Sequence, residues 1–338
     1  MRLTRRAALI PMLLAVTAAL AGCGGGSGKP SIVLYNGQHP ELTRALIAAF
    51  ERQTGIAVRE RTNDTIVLAN QILQEGSGTP ADVYLSENSP ELMTLEQHRA
   101  LARLGRTTLA QVPARFRSRG GDWLGVALRV SSLVCNPGKL GQTPLPRSIL
   151  DLAKPSWKGK IALAPADSDF PPVVGAVIAT EGAKKAANWL AGIKDNAAVY
   201  DDEEAVVSAV NNGTVACGVI NQYYWYRLQL ELGKGGMHSR LYYFPTGDPG
   251  SIVNISGAAV LASSKHRQNA ERFVAFLASR TAQEILARSD DFEYPARPGV
   301  AANPAIPPLD TIPHTSVSVV SLGNDSQAVR LMQQAGLT

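Results

Sequence analysis

Four side chains with metal-ligating chemistry fall where hydrophobic, strand-like runs end. His39 follows "VLYNGQ", Glu87 closes "ADVYLSE", and Tyr223 and Tyr224 stand together in "NQYYWY", directly after "TVACGVI". Open α/β sheets bind their ligands off the carboxyl ends of strands. A strand would send adjacent tyrosines to opposite faces, and a helix would set them about 100° apart. A strand–loop–helix turn can aim both at one point, and the positive end of the following helix is expected to favour phenolate there. Taken singly, each has an ordinary reading: a capping histidine, a solvated glutamate, packed tyrosine rings. Taken together, two phenolates and a carboxylate balance a trivalent cation, and a neutral imidazole adds a nitrogen donor. Hard, highly charged cations prefer anionic oxygen, and tyrosine is an iron ligand.

These residues need a scaffold that brings distant strand ends together, and the chain reads as one. Ile32–Tyr35 has strand character, and Pro40 suits the first turn of a helix whose apolar face is Leu42, Ala45, Leu46, Ala49 and Phe50. Gly55 stops that helix and "IAVRER" follows as a second strand, which makes a βαβ unit and a parallel sheet. Alternation continues: "TIVLANQILQEG" is helical, "KGKIALAP" is a strand, and "GAKKAANWLAGIKD" is a helix. "NQYYWYRLQLELG" and "SQAVRLMQQAGL" read as further helices, and "QNAERFVAFLASRTAQEILAR" as a single amphipathic one. Two long apolar runs, near 125–135 and 250–261, are candidate hinge strands crossing between two discontinuous domains. The expected division is a first lobe of 31–128 with 254–305 and a second of 129–253 with 306–338.

The start of the chain, "MRLTRRAALIPMLLAVTAALAGC", has a basic end, a short apolar run and small residues before Cys23. That is the pattern of a secretory signal over residues 1–22, and Leu20-Ala21-Gly22-Cys23 resembles a bacterial lipobox, with Cys23 the lipidated first mature residue. Residues 23–30 form a Gly/Ser tether. Taking away Arg2, Arg5 and Arg6 lowers the formal net charge from +5 to +2. A nearly neutral body gives no electrostatic case for nucleic acid. Arg5-Arg6 leaves the export route open. Cys135 and Cys217 sit in apolar, strand-like runs; outside the cytoplasm they either pair or remain two buried thiols, and sequence leaves both open. No GxSxG, HExxH, P-loop or CxxC pattern occurs, which weighs against a metal-dependent hydrolase.

The stretches "VLYNGQHPE", "TPADVYLSE", "WKGKIAL", "INQYYWYRL", "DPGSIVNISGAAVL" and "EYPARPG" run in family order, and with them the sequence resembles the bacterial ferric-ion-binding proteins, solute-binding components of iron ABC transporters. The resemblance implies a type II periplasmic-binding-protein fold, two-lobed and hinged, with Fe(III) held by His39, Glu87, Tyr223 and Tyr224. It also implies a monomer that serves an ABC permease and is lipid-anchored on the outer face of the cytoplasmic membrane, at the cell surface or in the periplasm. The same fold takes polyamines, thiamine or oxyanions, which are the alternative solutes. Many relatives complete the iron shell with a phosphate-like anion held by small neutral residues. Here the corresponding turn is Asp167-Ser168-Asp169 and Glu203 stands near an expected Asn, while Asn221 survives. Carboxylates at those places repel an anion, so phosphate is disfavoured as partner. Arg129 and Arg297 are either structural arginines or braces for Glu87 or a bound anion.

Overall fold

The computed structural model describes residues 29–338; the signal segment, Cys23 and most of the tether lie outside them. Eleven strands form one continuous pleated surface: β1 (Ser31–Asn36), β2 (Ala57–Thr62), β3 (Val83–Ser86), β4 (Leu101–Ala102), β5 (Trp123–Cys135), β6 (Ile161–Leu163), β7 (Ala197–Val199), β8 (Cys217–Asn221), β9 (Arg240–Tyr242), β10 (Val253–Leu261) and β11 (Tyr294–Pro295). The main order is β2-β1-β3-β10-β5-β8-β6-β7. β1, β2 and β3 are mutually parallel, as are β6, β7 and β8. β10 runs against the first set and β5 against the second, and the two are antiparallel to each other.

β5 joins the two lobes. Its first part pairs with β10, from Trp123 opposite Ala259 to Val130 opposite Val253. From Ser131 to Cys135 it pairs with β8 instead. All thirteen of its residues are buried, which explains its unbroken apolar run: a strand covered on both faces does not alternate. β10 lies wholly on the first-lobe side, and its crossing is made just before Val253, where Ser131 N–H donates to the carbonyl of Ile252 at 2.9 Å. Cys135 and Cys217 face each other across β5 and β8 and are joined by a disulfide, so the paired alternative holds.

Helices cover both faces. The helix Pro40–Thr54 starts at Pro40 and ends on Gly55, whose φ of 70° closes it in the left-handed conformation. Its Phe50 meets Phe273 edge-on at 4.9 Å. The segment read as one long amphipathic helix is two, Arg267–Leu277 and Arg280–Ala287, because Ser279 accepts from Ala282 N–H and starts a new helix. Two helices that carry neighbours of the site had no clear sequence signal. Phe170–Glu181 is apolar nearly all round, and Glu203–Asn211 is short.

Candidate metal centre

The carboxyl ends of the parallel strands of both lobes converge on one cleft. β1 delivers His39, β3 delivers Glu87, and β8 delivers Tyr223 and Tyr224 at the start of the helix Gln222–Leu232. The turn before His39 is built by Asn36, whose Oδ1 accepts from Gln38 N–H at 2.9 Å and whose Nδ2 donates to the Gln38 carbonyl at 2.9 Å. Gly37 is required there: a Cβ would sit 2.9 Å from the Cα of Thr65. The backbone carbonyl of Glu87 accepts from Ser256 Oγ at 2.9 Å and from Arg129 Nη2, which pins the main chain and leaves the carboxylate free to face the cleft.

The structure brings all four residues together. Glu87 Oε1 lies 3.5 Å from His39 Nε2 and accepts from Tyr223 Oη at 3.0 Å. The rings of Tyr223 and Tyr224 pack against each other, tilted by 30° with centroids 4.1 Å apart, and the His39 ring centroid is 5.3 Å from that of Tyr223. His39 and Glu87 follow β1 and β3, the tyrosines follow β8, and β10 and β5 lie between them in the sheet, so the contacts span the cleft. Among the described residues no group of three or more His, Cys, Asp or Glu side chains is placed to hold a metal ion, so any metal here depends on the phenols.

Electrostatics corrects one expectation. The helix end does not ionise the tyrosines: burial, then the charge of Glu87, pushes both phenols well above their ordinary pKa. Glu87 is raised by burial and by Asp169, against the opposing pull of Arg129 and His39. Without a cation the two phenols hold their protons; a bound cation would displace them by its own field. For His39, burial favours the neutral ring, yet Asp291, Glu87 and Glu293 outweigh it and raise the pKa to about 9. Nδ1 is 3.2 Å from Asp291 Oδ1, at ion-pair distance though off a good hydrogen-bonding angle. Arg227 Nη1 lies 3.4 Å from Nε2 and 3.3 Å from Glu204; it can donate to Nε2 only when that nitrogen is bare.

Around these residues lies a buried polar layer. Arg129, fully buried on β5, pairs with Asp169 at 3.0 Å and Glu293 at 3.2 Å, and donates to Ser256 and Asn88. It therefore braces Glu87 through the backbone rather than through its carboxylate. Asn88 Nδ2 reaches Ser168 Oγ at 2.8 Å and Asp169 Oδ1 at 2.9 Å. Asp167 accepts from the backbone N–H groups of Asp169 and Glu203, and burial, then Asp169, raises it to about 8. Glu203 Oε2 accepts from Asn221 N–H at 2.6 Å, and burial raises it well above its ordinary value. Arg297 takes no part, and for it the structural alternative applies: it donates to Gln111 Oε1 and the Ala278 carbonyl, both at 2.9 Å. It lines a cavity of about 590 Å³ behind the hinge, walled by Leu128, Val253 and Ile255, whereas the alternating Arg129, Asn254 and Ser256 belong to the polar network.

Sequence reading missed Gln38, Asn88, Arg227, Ser256, Asp291 and Glu293. Two of them adjoin site residues, and position beside a ligand was their only available signal. Asp291 and Glu293 lie some 250 residues from His39 along the chain, and nothing in their spacing points there.

The sequence pattern of the bacterial extracellular solute-binding proteins matches residues 33–289. A Serratia marcescens "Fe(3+)-binding periplasmic protein" is 41% identical over 326 residues, covering 96% of each chain. The "major ferric iron-binding protein" of Neisseria meningitidis is 36% identical, covering 98% of each. Iron-bound HitA of Pseudomonas aeruginosa superposes with a TM-score of 0.86 at 41% identity, over 91% of this chain and 99% of that one. Such a match over three-quarters of the chain, and relatives this similar over nearly all of it, carry one conclusion: the chain belongs to the bacterial extracellular solute-binding protein family.

Proposed function

We propose that this protein captures ferric ion between its two lobes, with His39, Glu87, Tyr223 and Tyr224 as ligands, and delivers it to an ABC permease in the membrane. The observation that carries the reading is the cross-cleft cluster itself, in which Tyr223, Glu87 and His39 are in mutual contact and the Tyr224 ring packs against Tyr223. The named relatives support iron as the solute, and the donor set suits a hard trivalent cation better than an organic amine. Opening the lobes parts His39 and Glu87 from the tyrosines and dismantles the shell, which gives release. The site is for binding, not catalysis, because the same four side chains are all occupied as donors. The protein acts outside the cytoplasm as a monomer, anchored through lipid on Cys23.

Phosphate is not its partner anion. A helix N-terminus is the natural seat for an anion. Two such ends abut the cleft, and each already holds a protein carboxylate: Glu203 on Asn221 N–H and Asp167 on Glu203 N–H.

The test is metal analysis of the purified protein with a visible spectrum before and after chelation. A ferric–phenolate band that chelation removes is expected. Purified protein without iron that also gains no band on ferric titration overturns the reading and favours an organic solute.

A further inference from the structure

The surface turned away from the cleft has a charge pattern of its own. Between Gln97 and Gly121 the chain carries six arginines and no acidic residue. Arg115 lies over the Phe116 ring and Arg117 donates to the Leu109 carbonyl, whereas Arg99, Arg103, Arg106 and Arg119 are exposed. Lys265 and Arg267 join them from the segment after β10, where Arg267 Nη2 donates to the Arg103 carbonyl at 3.2 Å. Among the described residues none of these four arginines, nor Lys265 or Arg267, is within ion-pair distance of an acid. Carboxylates beside them are turned inward: Glu271 accepts from Gly105 N–H at 2.6 Å, and Glu96 from Ser118 Oγ at 2.6 Å and Trp123 Nε1 at 3.1 Å. Arg99 keeps its place against a backbone preference. It closes the helix Ser89–Gln97 at a φ of +57°, with the N–H groups of Arg99 and Ala100 on the carbonyls of Glu96 and Leu95, a position that favours glycine.

Sheet register puts this patch where the chain enters the fold. β4 pairs with the last residues of β10, and Val260 of β10 stands opposite Val83 at the start of β3. β1 lies beside β3 with Leu34 opposite Val83, so Ser31 projects beyond that same end, and the cleft is at the other end of these strands. Asp82 ties the pieces together: it accepts from Val33 N–H at 2.9 Å and Ser264 Oγ at 2.6 Å, and lies 3.2 Å from His266 Nδ1. Cys23 precedes Ser31 by eight residues, which span at most about 29 Å. A folded body of this length is about 50 Å across. Lipid on Cys23 therefore keeps the arginine-rich end, rather than the opposite one, within reach of the membrane.

We propose that this end is a docking surface for anionic phospholipid headgroups, a second attachment beside the lipid on Cys23; the inference rests on that anchor. Stable attachment takes two signals, and an acyl anchor with a basic patch is one such pair. The exposed cations complement phosphatidylglycerol-type headgroups, and lying this way the protein points its cleft away from the bilayer, towards arriving solute.

The test is vesicle co-sedimentation of the mature chain carrying Cys23→Ser, so that no acyl chain masks the patch. Binding to vesicles of phosphatidylcholine mixed with phosphatidylglycerol is expected at low salt. It should be absent with phosphatidylcholine alone and abolished in about 1 M salt, where the screening length is about 3 Å. Arg103→Gln, Arg106→Gln and Arg267→Gln together should lower it on the order of a hundredfold, about fivefold per cation. Arg→Lys at the same three positions should retain it. A matched triple, Lys158→Gln with Lys184→Gln and Lys234→Gln, removes the same charge from exposed sites on the β6–β8 side and should bind like the parent. Arg99→Gly relaxes the positive φ, so it should hold or raise the unfolding midpoint yet weaken vesicle binding about fivefold, which a purely structural role would not do. Equal loss in both triples, indifference to phosphatidylglycerol, or binding that survives high salt overturns the proposal. The mass of the native mature chain decides separately whether Cys23 carries lipid, and ferric titration of the arginine triple reports the cleft, so neither failure can be mistaken for this one.

Discussion

Tyr223 and Tyr224 show how one pair of side chains serves two states. Their rings pack as core, and the burial that makes them core keeps their hydroxyls protonated until a cation arrives. Replacing both by Phe leaves the packing and removes the oxygens. Ferric affinity is expected to fall on the order of a thousandfold or more, since even the partners behind metal ligands are worth about 10–100-fold. The visible band should vanish while circular dichroism stays native; a retained band sinks the assignment. His39→Ala and Glu87→Ala should cost less, because water can take one vacated position. Glu203→Gln replaces the buried carboxyl at the helix end beneath the tyrosines by an amide that can carry no negative charge. Wild type should show equal ferric affinity with and without phosphate, and Glu203→Gln should gain a phosphate dependence; a clear gain in wild type refutes the exclusion of phosphate. The clustering of His39, Glu87 and the tyrosines was legible because each ends a strand, and strand ends of parallel sheets share one side. The partners Asp291 and Glu293 were not, because they arrive by chain folding over long separations that leave no spacing to read; Arg227, one turn after Tyr223, had only its place on the tyrosine helix as a signal.

Among the elements, β5 and β8 govern the tyrosine side of the site. Cys135 lies opposite Cys217 and Ser131 opposite Asn221, so the bond fixes the strand that presents the tyrosine helix. The two cysteines are 82 residues apart, and closing so long a loop restricts the unfolded chain strongly. Cys135→Ser with Cys217→Ser should lower stability by roughly 2–5 kcal/mol, read as a drop in the unfolding midpoint. Iron binding at room temperature should remain; an unchanged midpoint would show the bond to be idle. Strands and amphipathic helices were readable at this scale, since their periods reflect one buried face. Phe170–Glu181 was not, because a helix buried nearly all round has no polar face to set a period and carries Pro171 and Pro172 in its first turn. The break at Ser279 was missed because apolar residues continue on both sides of it with no Gly or Pro to mark a stop.

The whole molecule should respond to pH in opposite senses with and without iron. In the iron-free protein, Asp167 is raised to about 8, Glu293 to about 7 and His39 to about 9. Each binds a proton more tightly folded than unfolded, so its contribution is present in acid and lost as pH rises through those values. The iron-free melting temperature should therefore fall between pH 5 and 9. The iron-loaded protein should instead lose colour as pH drops, because protons compete for the ligands. Parallel trends in the two forms would contradict the placement of these groups. The two-lobed architecture was legible from the alternation of strands and helices; the seam between lobes was not, being made of side chains such as Asn88, Ser168 and Asp169 that carry no periodic signal. That seam has a consequence for affinity. Asn88 and Arg129 hold Asp169 across the lobes whether or not a metal is present, so closure has an equilibrium of its own. Apparent affinity is the intrinsic affinity multiplied by the closed fraction. A change such as Asp169→Asn that lowers this fraction about tenfold would weaken every cation that needs the closed form about tenfold, leaving their order of preference untouched. How tightly the protein holds its solute and which solute it prefers are thus set by different residues, and selection can move one without the other.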